Sequence, residues 1–192
     1  MRLFFGSCFA LFLAAVIGLS ATWLTVTRGV AFGSLKIGAW TAWPRSGSVD
    51  IDPYARAIIA RSGELPIGTG DGVAFFARTD DAGNRFDGRC SFVLSGMTPS
   101  ARYWTLTLYD QNGRLVANTI DRHGFTSAEL VRDVGGRFAI NVGPRARAGN
   151  WLPSGGIENF VLVLRLYDTP IGVASLTSKE GPMPAIVRKA CS

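Results

Sequence analysis

The chain has 192 residues, 47% hydrophobic and 18% charged, and 20 basic against 14 acidic side chains leave it at +6. That balance is too apolar and too weakly charged for intrinsic disorder. One histidine and three cysteines exclude a zinc finger, a histidine-rich metal site or a cysteine-dense scaffold, so no metal and no cofactor is expected.

No charge falls between Leu3 and Thr27, a run bounded by Arg2 and Arg28. As a helix it would be about 37 Å long at a rise of about 1.5 Å per residue, enough for a hydrocarbon core of about 30 Å. Trp23 lies near its end, where an indole suits the membrane interface. A cleaved signal peptide is the competing reading. Its positive region would be only Arg2 and the α-amine, and Gly18-Leu19-Ser20 is the best available cleavage site. The expectation is an uncleaved anchor over residues 1–28, a linker or first strand region over 29–50, and a folded domain over 51–192. About 165 residues beyond the anchor suffice to bury roughly 70% of the unfolded surface around one core.

Asp52-Pro53 opens the one soluble helix expected, running from Tyr54 to Ser62 with Gly63 as its stop. Tyr54, Ile58 and Arg61 share a face with Ala57 beside them, predicting a helix packed on the edge of a sheet. Beyond it the chain reads as strands at Val73–Thr79, Cys90–Ser95, Arg102–Asp110, Arg114–Asn118, Phe138–Val142 and Phe160–Tyr167, with a short segment at Glu129–Asp133. Trp104, Leu106 and Leu108 alternate with Tyr103, Thr105, Thr107 and Tyr109, the pattern of a half-buried strand. Asn112-Gly113 signals a hairpin. Phe160–Tyr167 is the most apolar strand, with Arg165 its only charge. With 23 glycines and 9 prolines, the pattern predicts a mainly β fold, an antiparallel β-sandwich or jelly-roll-like domain with one short helix behind a single transmembrane helix.

Cys90 and Cys191 suit a disulfide that clamps the tail, which would place the domain in an oxidising compartment; two unrelated thiols are the alternative. Positive charge counts at Arg28 and Lys36 mildly favour the opposite topology, but long domains cross membranes largely regardless of charge. The cysteines decide for a single-pass inner-membrane protein with a periplasmic domain. The tail after Tyr167 is rich in breakers (Pro170, Gly172, Gly181, Pro182, Pro184) and is expected to make few ladder hydrogen bonds of its own. The arginines are dispersed, so nucleic acid is not an expected partner.

Three stretches stand together: Arg102-Tyr103-Trp104-Thr105-Leu106-Thr107-Leu108-Tyr109-Asp110, Gly149-Asn150-Trp151-Leu152-Pro153 and Leu164-Arg165-Leu166-Tyr167-Asp168-Thr169-Pro170. In this order and spacing the chain resembles the domain of unknown function 1214 family over roughly residues 50–190. The Asp52–Ala57 helix and the Cys90/Cys191 pair look like its membrane-anchored, single-domain branch in alphaproteobacteria. The resemblance implies a jelly-roll-type sandwich, which larger relatives join to a second domain of unknown function 1254. It supplies no established catalytic residues.

Candidate sites therefore rest on residue chemistry alone. Asn150 and Trp151 follow a loop carrying Arg145 and Arg147; an indole beside two guanidiniums can stack a sugar or hold an anionic head group. The simpler reading has Trp151 plugging one end of the sandwich and Asn150 satisfying loop backbone. His123, beside Asp121 and near Ser127, could act as a general base, but no Gly-x-Ser-x-Gly elbow accompanies it. The pairs Asp80/Asp81 and Asp50/Asp52 read as a turn and a helix cap rather than as glycosidase carboxylates. Gly68–Gly72 lacks the lysine of a phosphate-binding loop. The expected function is a non-catalytic envelope protein binding a protein partner or an envelope glycan or lipid; the alternative is a hydrolase-like enzyme using His123 with a nearby carboxylate.

Overall fold

A computed structural model describes residues 2–28, 34–62, 65–169 and 182–191. Gly63, Pro170, Gly172 and Gly181, assigned above to a helix stop and a breaker-rich tail, lie outside the described residues.

The apolar run forms helix α1 (Arg2–Arg28). Its Leu3–Thr27 portion has a mean hydropathy of 2.3 and is almost wholly exposed, so it is long and apolar enough to cross a membrane. The hydroxyls of Ser7, Thr25 and Thr27 donate back to the carbonyls of Leu3, Ala21 and Trp23, which hides their donors inside the helix. Helix α2 (Pro53–Ser62) starts as its sequence dictates, with Asp52 Oδ1 accepting the amides of Tyr54 at 2.9 Å and Ala55 at 3.1 Å. Its most buried residue is Ala55, while Tyr54 and Ala57 are exposed. The helix therefore turns a face one position away from the expected one.

The strands are β1 (Leu35–Ile37), β2 (Trp40–Ala42), β3 (Gly72–Ala77), β4 (Cys90–Gly96), β5 (Tyr103–Asp110), β6 (Gly124–Thr126), β7 (Phe138–Gly143), β8 (Asn150–Pro153), β9 (Phe160–Tyr167) and β10 (Ala185–Cys191). They make a six-stranded sheet, β1-β2-β3-β9-β5-β6, and a four-stranded sheet, β10-β4-β7-β8. Alternation sends Val73 and Phe75 of β3, Trp104, Leu106 and Leu108 of β5, and Leu162, Leu164 and Leu166 of β9 into one core. Phe92, Leu94, Phe138, Ile140, Val142 and Ile186 meet them from the other sheet. Aromatic rings join the layers: Phe86 stacks on Phe160 at 4.7 Å with Phe92 edge-on to both, and Trp104 packs on Phe138 at 5.3 Å. The buried Trp40 indole donates to the Pro184 carbonyl at 2.8 Å, tying the first hairpin to the entry of the last strand.

Three departures from the expected pattern have physical causes. First, Asn112-Gly113 does turn, with Gly113 at φ +75°, but Leu115 makes a single bridge to Tyr109 and Arg114–Asn118 forms no strand. The edge of β5 goes to β6 instead, through Thr105↔Thr126, Leu106↔Phe125 and Thr107↔Gly124. A Cβ at Gly124 would collide with the Leu106 carbonyl, so glycine permits the approach. Second, Asn150–Pro153 is a strand, not a loop, and runs parallel to β7, which makes the four-stranded sheet mixed rather than antiparallel. Pro153 is tolerated because it ends an edge strand. Third, the tail pairs with β4 along Ala185–Cys191, contrary to the expected scarcity of ladder bonds. Pro182 and Pro184 precede that strand and do not interrupt it.

Cys90 and Cys191 are directly opposed in this ladder and form the disulfide. Their Cα atoms lie 3.9 Å apart, nearer the approach of about 4.5 Å typical of a non-hydrogen-bonded antiparallel pair than the commonest disulfide spacing.

Candidate functional site

The connection Pro144–Gly149 is set by the parallel pairing. To bring β8 alongside β7 in the same direction with Ile140 opposite Asn150, the chain must double back within six residues. It does so over the outer face of the four-stranded sheet, where Asn141 Nδ2 donates to the Ala148 carbonyl at 3.4 Å. Arg145 and Arg147, exposed on this return, overhang a cavity of about 330 Å³. Ser91 and Val93 of β4, Asn141 and Gly143 of β7, Trp151 of β8 and Lys189 of β10 complete it. Trp151 is half-buried, and its indole N–H donates to the Gly143 carbonyl at 3.1 Å, which fixes the ring in the wall. Three cations thus converge on an aromatic and amide-lined hollow whose lining, among the described residues, contains no carboxylate.

Strand alternation separates the two residues that are neighbours in sequence. Trp151 faces outward into the cavity with Arg145 and Arg147, while Asn150 is 6% exposed and points into the protein. Its Oδ1 accepts from the Val131 amide at 2.9 Å, and its Nδ2 donates to the carbonyls of Val131 at 2.8 Å and Ala139 at 3.0 Å. Asn150 therefore holds the 127–133 segment against β7, and its amide is committed to backbone. Lys189 joins the cations from the terminal strand; in the sequence, Lys-Ala-Cys at the chain end was legible only as tail.

His123 stands elsewhere. Its Nε2 lies 2.9 Å from Asp121 Oδ1 and its Nδ1 3.0 Å from the Val116 carbonyl, so acceptors engage both nitrogens. The Ser127 oxygen accepts the Trp104 amide at 3.4 Å. His123 and Asp121 do come together, but neither lines this cavity or the larger one described below. Asp80 and Asp81 serve the tail. Asp80, 2% exposed, takes the Asn84 amide at 2.8 Å and lies 3.5 Å from Arg188 Nε. Among the described residues, no group of three or more histidines, cysteines and carboxylates could hold a metal ion.

The fold and this surface define a two-sheet β domain behind a single apolar helix, with a basic, tryptophan-lined hollow on its outer face. The chain matches, over residues 71–171, the family described as protein of unknown function (DUF1214), and it belongs to that family. No curated protein matches it. Among solved structures, the VPA0106 protein from Vibrio parahaemolyticus shares 20% identity at a TM-score of 0.59, over 76% of this chain and 37% of that one. An uncharacterised protein from Burkholderia cenocepacia shares 16% identity at a TM-score of 0.42, over 93% of this chain and 52% of that one. The first likeness is one of fold; the chain spans between about a third and a half of the length of these two proteins.

Proposed function

We propose that this chain is a single-pass inner-membrane protein of the anchored, single-domain alphaproteobacterial branch of its family, with its β domain in the periplasm, and that the basic hollow binds an acidic envelope glycan. The observation that carries the reading is the convergence of Arg145, Arg147 and Lys189 on the Trp151 ring, with no carboxylate in the lining among the described residues. Guanidiniums fork onto carboxylates or phosphates, and an indole wall stacks on a pyranose face. Two observations support the location: α1 is long and apolar enough to cross a membrane, and the Cys90–Cys191 bond belongs to an oxidising compartment. The engagement of both His123 ring nitrogens favours binding over hydrolysis at that residue.

The test uses the full chain in detergent micelles with oligogalacturonate as the acidic probe and a neutral cello-oligosaccharide as control. The Trp151 indole N–H resonance shifts with the acidic probe alone, in a salt-sensitive manner. Arg145→Gln/Arg147→Gln weakens binding at least tenfold. Equal affinity for the neutral sugar, or no effect of the double substitution, overturns the reading. Location has its own test: the protein resists carbonate extraction at its full mass, and alkaline phosphatase fused after Ser192 is active.

A further inference from the structure

A second, larger cavity lies on the opposite outer face, that of the six-stranded sheet. Its volume is about 450 Å³, within the span of about 300–1,000 Å³ usual for small-molecule sites. The sheet supplies Ala74, Phe76, Val161, Val163 and Arg165; α2 supplies Ala55, Ile58 and Ile59, with Leu65, Pro66 and Ile67 following. Val163 alternates away from the core, yet it is 3% exposed and stands outside the core cluster. An outward valine buried on an open sheet face marks a second apolar layer, built between sheet and helix.

The sheet floor of this cavity carries Arg165 and Tyr109, while Gln111, Asn112 and Ser46 line it from the neighbouring turns. Arg165, the lone charge of the most apolar strand, is half-buried between Ala74 and Thr105 on the neighbouring strands. Its Nη1 donates to the Tyr109 hydroxyl at 3.2 Å and its guanidinium sits 5.4 Å from that ring. Among the described residues no carboxylate pairs with it. Arg78 stands at the rim, 5.5 Å over the Phe76 ring. The one carboxylate in the lining among the described residues, Asp110, is turned to the hairpin, where Oδ1 accepts the amides of Asn112 and Arg114, each at 2.8 Å. A half-buried guanidinium answered, among the described residues, by a phenol leaves fork donors for an anion.

The helix that walls the cavity also meets the anchor. Arg61, in the last turn of α2, lies 4.9 Å over the ring of Trp23, near the end of the apolar helix. The helix that walls the cavity therefore touches the segment that would stand at the membrane surface, placing the opening within reach of lipid.

We infer that this cavity binds a single-chain anionic amphiphile, a long-chain carboxylate, with its chain between Ile58, Ile59, Phe76 and Val163 and its head group on Arg165. The binding is independent of the basic hollow, which lies on the other sheet.

The experiment uses the full chain in zwitterionic nanodiscs, with carboxyl-¹³C palmitate as probe and washes with empty nanodiscs to remove partitioned lipid. The wild type retains about one equivalent, with a carboxyl resonance distinct from that in lipid. Arg165→Gln retains at least tenfold less. Ile58→Trp, which fills the cavity without touching the charge, does the same, and both variants keep the wild-type far-ultraviolet dichroism. Methyl palmitate, with the same chain and no charge, is washed out. Retention by the wild type no greater than by empty nanodiscs, equal retention of the methyl ester, or a wild-type level in Arg165→Gln overturns the inference. Should Arg165→Gln fail to fold, the Ile58→Trp variant and the ester decide it.

Discussion

Asp81 and Ile186 hold each other twice: the Asp81 amide donates to the Ile186 carbonyl at 3.0 Å, and the Ile186 amide donates to the Asp81 carboxylate at 2.7 Å. A turn 105 residues upstream thus caps the start of the last strand. Ile186 is the strand's fully buried core residue, so the pair decides whether that side chain stays docked. Asp81→Ala removes a charge-assisted bond at an exposed carboxylate and is expected to cost about 1 kcal/mol. Urea denaturation checks the magnitude, and faster hydrogen exchange at Ile186 alone checks the location.

The disulfide clamps the other end of the same strand. Cys90→Ser/Cys191→Ser is expected to lower stability by roughly 2–5 kcal/mol. Reducing agent brings the wild type to the level of the double variant and leaves the variant unmoved. Non-reducing mass spectrometry of protein from native membranes shows the linked peptides; free thiols at both positions contradict the pairing.

Asn150 and Trp151 are expected to fail in different ways. Asn150→Leu leaves backbone groups of Val131 and Ala139 without partners in a part-buried setting, at roughly 1–3 kcal/mol. Trp151→Ala exposes little new core and loses glycan binding while unfolding within about 1 kcal/mol of wild type. Paired denaturation and binding curves separate the two roles.

Asp87 keeps its charge deep into the acid range. The Arg89 side chain, then the Arg89 amide, hold its carboxyl down at about 2. A folded-state pKa below the unfolded value of about 3.9 means the ionised form is the one that stabilises. The contribution is therefore complete above about pH 5 and fades as pH falls toward 2. In a ¹³C-carboxyl titration Arg89→Gln moves the Asp87 midpoint up toward the ordinary carboxylate range.

The strands that period-two alternation marks were legible because alternation reports burial directly: Trp104, Leu106 and Leu108 point to the core as their spacing says, and Phe160–Tyr167 is a strand at those bounds. The Asp52 cap was legible because it is local chemistry. What escaped was everything set by a distant partner. Asn150–Pro153 carries loop residues and becomes a strand because β7 offers it an edge. The tail becomes a strand because Asp81, Asp80 and Cys90 receive it. At the candidate site the cluster of Arg145, Arg147 and Trp151 could be read from sequence proximity. Lys189 could not, since only the β10–β4–β7 pairing brings it there.

The order of strands in the larger sheet also sets how the domain meets mechanical load. β1 is the first strand after the apolar helix and the outermost of its sheet, holding only the pairs Leu35↔Ala42, Lys36↔Thr41 and Ile37↔Trp40. Tension drawn through a tethered helix reaches this edge first and opens it one rung at a time, as a zipper opens, instead of shearing a whole ladder at once. The peel meets resistance at Trp40, whose indole is bonded to Pro184 just ahead of the stapled terminal strand. The first hairpin is a yielding hem, and the seam behind it is sewn to the far end of the chain.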